Sequence, residues 1–429
     1  MKMKKIINYF LQNSLVRGSF IVFVGSAVGN FGSYLFHLIL GRLLGPANYG
    51  LLASLISLSY YLAIPLSVLS LLVVKYVSRH NKNKELVSAF VQKFSRNTTF
   101  WGLIGLFFFL LLYPWLKNLL KINSFLLVFG LAMNSFFSIY MTIISGVMLG
   151  MKEFFKLSLL SAFSSWLRLL LAIAAIFLGM KVGGVIYSTV LATIVVLFWG
   201  YEIIKKQLGL NFFQNKLPEI VFEKFKSYSL AILISNIILT SFLTVDVLLA
   251  RYFFSPTQAG YYASLSVLGK IIFFASSPIV SVMFPLVSER QANGDGYQKP
   301  FLASFIAVLL VSLVISLIYF LLPRQMISLL FGPKYLSASS DLAFFAVFAS
   351  LYSFCSLFLN FFLSISKTKI VYLGVPFALL QIGLISGFHQ SIRQIAEINI
   401  VVLFSFLLCL MIYYFQSFKA IFRIGEIND

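Results

Sequence analysis

Gly41-Arg42-Leu43-Leu44-Gly45-Pro46-Ala47-Asn48-Tyr49-Gly50 separates two apolar runs, 19–41 and 50–74. Each run is long enough to carry a helix through about 30 Å of hydrocarbon, which takes about 20 residues. An Arg at the end of the first run, an apolar pair, a Pro turn and a Gly opening the second run read as a reversal between spanning helices. The second half of the chain repeats the arrangement in Ala250-Arg251-Tyr252-Phe253-Phe254-Ser255-Pro256-Thr257-Gln258-Ala259-Gly260-Tyr261. After nearly the same spacing, Tyr76-Val77-Ser78-Arg79 is answered by Leu286-Val287-Ser288-Glu289. Further on, Leu149-Gly150-Met151-Lys152-Glu153-Phe154 is answered by Ser364-Ile365-Ser366-Lys367-Thr368-Lys369. These matches fall in turns, where hydrophobicity does not force likeness; the alternative is chance similarity among apolar segments. They predict a parallel repeat about an axis along the membrane normal.

Working outward from that turn, ten more apolar runs follow, at about 98–116, 124–148, 157–179, 182–204, 228–250, 260–286, 301–322, 340–363, 370–388 and 397–416. The third span has an alternative start nearer Leu86, as an amphipathic helix lying on the membrane. The runs are continuously apolar, which excludes membrane strands, whose residues alternate in polarity. Residues are 60% hydrophobic and 10% charged, against about 25% charged in soluble domains. So few charges suit a surface covered by lipid. The fold class expected is therefore an all-α polytopic membrane protein with about twelve transmembrane helices. They are expected to form two pseudo-symmetric six-helix lobes, 1–204 and 228–429, around a central cleft, with a cytoplasmic linker at 205–227.

Orientation follows from Lys and Arg, which collect on cytoplasmic loops. With the N-terminus inside, 23 of the 33 fall on the inner side and 8 on the outer, leaving Arg168 and Lys270 within spans. This asymmetry accounts for most of the net charge of +21 without nucleic acid. No cleavable leader is expected from Met1-Lys2-Met3-Lys4-Lys5, which reads as a cytoplasmic start. Cys355 and Cys409 lie in apolar runs and fit no metal or disulfide spacing.

A charge at mid-bilayer costs about 2.5–3.5 kcal/mol on insertion scales, so each one calls for a partner or a function. Arg168 follows Ser161, Ser164 and Ser165 on one helix face. Lys270 lies at similar depth in the eighth span. Asp246 stands five residues before Arg251, as His37 stands five before Arg42. Arg168 and Lys270 either attract a diphosphate, with Asp246 balancing or gating them, or tie helices together. Arg42 and Arg251 either bind phosphate at the outer mouth or anchor in headgroups, and Arg17 either meets an entering headgroup or is a positive-inside residue. Ser26, Asn30, Ser33 and His37 make a polar stripe on the first span, with Asn30 and His37 as candidates for gating or for packing. Gly25 and Gly29 permit close helix contact.

With the Gly41–Gly50 turn, Asp246, Arg251, Ala259-Gly260-Tyr261 and Phe284-Pro285-Leu286-Val287-Ser288 in view, the chain resembles the polysaccharide-transport family of the multidrug/oligosaccharidyl-lipid/polysaccharide exporter superfamily. The likeness runs over nearly the whole chain. It implies an alternating-access flippase in the plasma membrane, moving polyprenyl-diphosphate-linked oligosaccharide outward for surface polysaccharide assembly. Expected partners are that lipid, membrane lipids and other polysaccharide-assembly membrane proteins. Two departures from other branches matter. Lipid II flippases typically carry two additional helices. Multidrug antiporters usually carry an acidic site in the first lobe, whereas Glu85, Glu153 and Glu202 are expected at or beyond the inner surface here. The rival is a secondary exporter of small amphiphiles. No metal-spaced His/Cys set, phosphate loop, carboxylate pair or large outer loop points to an enzyme, cofactor or metal.

Reporter fusions after Lys82, Lys216 and Asp429 are expected to read cytoplasmic, and one after Pro256 external. An external C-terminus contradicts a twelve-helix chain with both ends inside.

Overall fold

The computed structural model describes residues 14–208 and 226–425, and among them every regular element is helical. The first helical stretch, Ser14–His80, is broken at Gly45, whose backbone takes φ 71° and ψ 171°. Such angles are essentially open to Gly alone, and Pro46 further bars its predecessor from helical geometry. His37 and Tyr49, on either side, share a hydrogen bond of 3.1 Å. Twelve residues of straight helix would separate them by about 18 Å, so the chain turns back on itself here. The stretch is thus two helices, α1 (14–44) and α2 (46–80). Eleven helices are long and apolar enough to cross a membrane, the first being Ala27–His80; with that one counted as two, the described residues hold twelve spans, as the sequence predicts. This is a multi-pass membrane protein.

After α2 come α3 (Lys84–Leu111), α4 (Tyr113–Leu120), α5 (Phe125–Gly150), α6 (Phe154–Phe177) and α7 (Val182–Leu208). Then follow α8 (Lys226–Phe253), α9 (Pro256–Ala292), α10 (Gln298–Leu321), α11 (Pro323–Leu330), α12 (Leu342–Ser364), α13 (Gly374–Gly387) and α14 (Ile392–Gly425). Short 3-10 turns, Pro333–Asp341 and Thr368–Leu373, precede α12 and α13. The chain divides into two compact units, Met1–Phe225 and Lys226–Asp429.

Each unit follows the same order internally. The third spanning helix of each is followed by an eight-residue helix with Pro in its first turn, α4 or α11. At the end of α5, Lys152 adopts a left-handed conformation, with Lys152 N–H donating to Leu149 O and Glu153 N–H to Met148 O. At the end of α12, Ser366 does the same, with Ser366 N–H donating to Leu363 O and Lys367 N–H to Phe362 O. Both are Schellman caps that satisfy carbonyls left over by the last turn. They shift the register read from the sequence by one residue: Lys152 corresponds to Ser366, not to Lys367.

The third span departs from its expected limits. It begins at Lys84, capped by Asn83, whose side chain accepts from Leu86 N–H at 3.1 Å. Its first half does not lie apart on the membrane. Val87, Phe90, Val91 and Phe94 fall at helical spacing and pack with Val73 and Val77 of α2 and with Ile143 and Val147 of α5. The stacked rings of Tyr76 and Phe90, 3.9 Å apart, join the helices.

Close helix contact in the first unit rests on small residues. A Cβ at Gly25 would lie 2.2 Å from Ser158 Cβ, and Gly29 and Gly32 face Ser161, Ala162, Ser165 and Trp166. Helix α1 therefore lies directly against α6, which brings Ser33 to Arg168. In the second unit α12 is the central helix, its buried Phe345, Tyr352, Phe358 and Phe361 packed among α9, α10 and α14.

Candidate functional site

Arg168 stands near the middle of α6, and α1 supplies its first partner. Its Nη2 donates to Ser33 Oγ at 3.2 Å, and Ser33 Oγ donates to Ser165 Oγ at 3.3 Å. The guanidinium lies over the Phe36 ring, 4.5 Å from its centroid. The expected stripes on the first and fifth spans thus meet at Ser33, Ser165 and Arg168. Neither contact neutralises the charge: Arg168 has no carboxylate within 4.0 Å among the described residues. Its Nε is buried without a hydrogen-bond partner among the described residues. A guanidinium offers five N–H donors, so most remain to be used.

Those donors border a cavity of about 230 Å³ inside the first unit. Phe36, Leu52, Leu131 and Ile186 give it apolar walls, and Ser59, Tyr60, Asn134, Ser135, Ser138 and Thr189 give it polar ones. Asn134 is fixed by Thr193, whose hydroxyl donates to Asn134 Oδ1 at 3.0 Å. Among the described residues, no acidic one lines this cavity. One cation among hydroxyls and an amide, with no acid, favours an anionic ligand rich in hydrogen-bonding groups.

The second unit holds its charges differently. Asp246 on α8 is fully buried. Its Oδ1 accepts from Val247 N–H at 2.8 Å, and its Oδ2 accepts from Tyr262 OH of α9 at 2.6 Å and from Asn399 Nδ2 of α14 at 3.3 Å. Asn399 Nδ2 also donates to Tyr262 OH at 3.2 Å, and Gln381 Nε2 of α13 donates to Asn399 Oδ1 at 2.9 Å. Lys270, buried two turns beyond Tyr262, is in no ion pair within 4.0 Å among the described residues.

A family model described as "Polysaccharide biosynthesis protein" matches residues 15–291, which include Arg168, Asp246 and Lys270. The chain belongs to that family. This is the membership to which the Gly41–Gly50 turn points. Its fold is similar to an inward-facing multidrug resistance MATE family transporter of the MOP superfamily, with a TM-score of 0.74 and 13% identity over 90% of this chain and 96% of that one. It is similar also to the lipid II flippase MurJ in an inward closed conformation, with a TM-score of 0.71 and 14% identity over 90% of this chain and 87% of that one. A MOP superfamily transporter from Pyrococcus furiosus gives a TM-score of 0.57 and 18% identity, covering 93% and 95%. An uncharacterized membrane protein of Methanocaldococcus jannaschii is 28% identical over 209 residues, 44% of this chain. The match spans 39% of that relative's length.

Among the sequence-predicted residues of this family member, Arg168 lies at a cavity and Asp246 at the centre of a network. His37 holds Tyr49 as Asp246 holds Tyr262: in each unit the polar residue five before the Arg bonds a Tyr on the next helix. Arg42 is exposed whereas Arg251 is 4% exposed, so the paired arginines occupy different surroundings. Asn30 is exposed on α1. Arg17 and Ser26 fall on helical residues whose side chains lie outside those described, and the expected linker at 205–227 falls mostly outside them too. Sequence reasoning missed Tyr60, Asn134, Tyr262, Gln381 and Asn399. The signal available was an amide or hydroxyl within an apolar run, and only tertiary packing separates these from the many serines that bond their own helix, as Ser54 does to Gly50 O at 2.7 Å.

Tyr262→Phe removes a donor to a buried carboxylate, a bond worth about 1.5–3 kcal/mol, whereas Tyr49→Phe removes a neutral one worth about 0.5–1.5 kcal/mol. Thermal unfolding of the purified protein in detergent is expected to show the larger loss for Tyr262→Phe. Equal melting temperatures for that variant and the wild type would contradict the network.

Proposed function

We propose that the chain moves polyprenyl-diphosphate-linked oligosaccharide from the inner to the outer leaflet of the plasma membrane by alternating access, with both termini cytoplasmic. The observation that supports this reading is Arg168: a guanidinium with no carboxylate within 4.0 Å among the described residues, at a cavity whose described lining has hydroxyls and an amide but no acid, within membrane-spanning helices. A diphosphate supplies the missing countercharge and accepts the donors that Ser33 leaves over; sugar hydroxyls pair with Tyr60, Asn134 and the serines. The same cation repels the cationic amphiphiles that an exporter with an acidic site would take. With a negative cell interior, outward movement of about two negative charges is downhill by about 2.3 kcal/mol per charge per 100 mV. Membership of a polysaccharide biosynthesis family supports the glycan.

In this reading Lys270 supplies further positive potential, and Asp246 balances it. Arg42, Arg251 and Arg17 guide phosphate to and from the site, and His37 and Asn30 serve as gating positions on α1. No resident cofactor or metal and no catalytic step is invoked. Membrane lipids and other polysaccharide-assembly membrane proteins are the expected neighbours.

Arg168→Ala is expected to lower glycan export per molecule of membrane-inserted protein by at least about tenfold, the equivalent of one charge-assisted bond. Arg168→Glu is expected to be worse, because repulsion is added to lost attraction, and Arg168→Lys is expected to restore part, since Lys keeps charge but not the planar fork. Lys270→Ala is expected to impair export as well, with Asp246→Asn recovering the abundance of that variant. Full export by Arg168→Ala at normal abundance contradicts the reading, as does a loss that merely tracks protein abundance.

A further inference from the structure

The first unit contains a second and larger cavity, of about 590 Å³, between α2, α3 and α5. Its lining is largely apolar, with Leu69, Leu106, Phe109, Phe136 and Ile139 among the walls. Its size lies within the range of about 300–1,000 Å³ over which pockets enclose a drug-sized ligand. Close-packed interiors do not leave such a volume by accident.

Two features of the sequence make the space. Gly105 leaves the face of α3 that looks into it without a side chain, and a Cβ there would meet nothing within 4 Å, whereas Gly102 on the same face lets Ile139 approach, a Cβ there lying 2.7 Å from Ile139 Cδ1. Pro65 on α2 also lines it, and a Pro within a helix removes one backbone hydrogen bond and bends the axis. The cavity is open at its edge: Trp101 is 68% exposed and Gly105 is exposed, on a helix whose second half, Phe100–Leu111, is apolar and spans the membrane.

Leu62, Leu66 and Ser135 line both this cavity and the one at Arg168. A largely apolar, open-edged compartment thus shares a wall with a polar compartment bearing a cation that has no carboxylate within 4.0 Å among the described residues. The pair has the chemistry of an amphiphile with a long apolar chain and an anionic, hydroxyl-rich head.

We infer that the cavity between α2, α3 and α5 holds the isoprenoid chain of the lipid-linked substrate while its diphosphate lies at Arg168. This rests on the function proposed above and adds a second, separable binding element to it. The chain stays in an apolar groove of the first unit instead of trailing in bulk lipid, so affinity for the lipid exceeds affinity for its headgroup alone. The diphosphate positions the ligand; the groove takes the apolar isoprenoid chain.

The test uses the full chain in lipid nanodiscs. The chain probe is a polyprenyl phosphate carrying a diazirine in its isoprenoid portion; the head probe is a water-soluble, chainless sugar diphosphate. Photolabel is expected on residues 94–109 of α3 and 61–69 of α2, displaced by unlabelled polyprenyl phosphate and not by an equal amount of phosphatidylglycerol. Gly105→Phe, which fills the groove from a position with free space, is expected to lower that labelling about tenfold while leaving chainless sugar diphosphate binding unchanged. Gly105→Leu is expected to give a smaller loss, and Leu103→Phe, on the exposed side of α3 away from the cavity, none. Arg168→Ala is expected to lose the chainless probe.

Label placed elsewhere, equal displacement by phosphatidylglycerol, or undiminished labelling of both Gly105 variants overturns the inference. If the chainless probe still binds through Arg168 in those cases, the transport reading survives without it. If wild type binds neither probe, the transport reading itself fails.

Discussion

Inside a bilayer no water is at hand to complete a hydrogen bond, so every backbone group and every charge must find its partner within the protein or its cargo. The backbone meets that demand with helices, and the turns between them meet it with caps. Lys152 and Ser366 accept left-handed geometry so that carbonyls at the ends of α5 and α12 receive donors. Ser255 and Gln258 form a reciprocal capping box where α9 begins. At Gly45 the constraint is sharpest, since only Gly before Pro46 takes the angles that turn α1 back along α2.

The same constraint separates the two buried charge systems. In the second unit it is met internally at Asp246. Asp246 receives donors from its own backbone, from Tyr262 and from Asn399, and Gln381 steadies Asn399, so α8, α9, α13 and α14 are locked by one polar network. In the first unit it is not met. Arg168 has a serine, a ring face and a cavity, and one buried nitrogen without an acceptor among the described residues. A group left short in this way destabilises the protein by about 1–3 kcal/mol unless a ligand completes it. The proposed ligand recognition rests on this difference: Arg168 faces a cavity, whereas Asp246 joins helices.

The number of spans and the hairpin at Gly45-Pro46 were legible because both are written in local sequence: apolar runs of fixed length, and a residue pair with a restricted backbone. Arg168 was legible because a charge in an apolar run is conspicuous, and its serine face follows from helical spacing. The walls of its cavity were not. Tyr60, Asn134 and Thr189 come from α2, α5 and α7, and nothing within each helix says that they converge. Likewise Asp246 was visible, but its partners come from other helices, Tyr262 of α9 sixteen residues on and Asn399 of α14 more than a hundred, and only packing brings them to it. The first half of α3 was ambiguous because Lys84–Thr99 mixes charges with apolar residues; the apolar face of Val87, Phe90 and Phe94 found its partners in α2 and α5.

The central claim is that the anion completing Arg168 belongs to a lipid-linked glycan. Its most direct test is to deplete the protein from its own cell and extract the membrane lipids. The account predicts build-up of one polyprenyl-diphosphate oligosaccharide, confined to the inner leaflet and therefore protected from an externally added glycan-modifying enzyme. An unchanged lipid profile accompanied by altered tolerance to small amphiphilic drugs would contradict it.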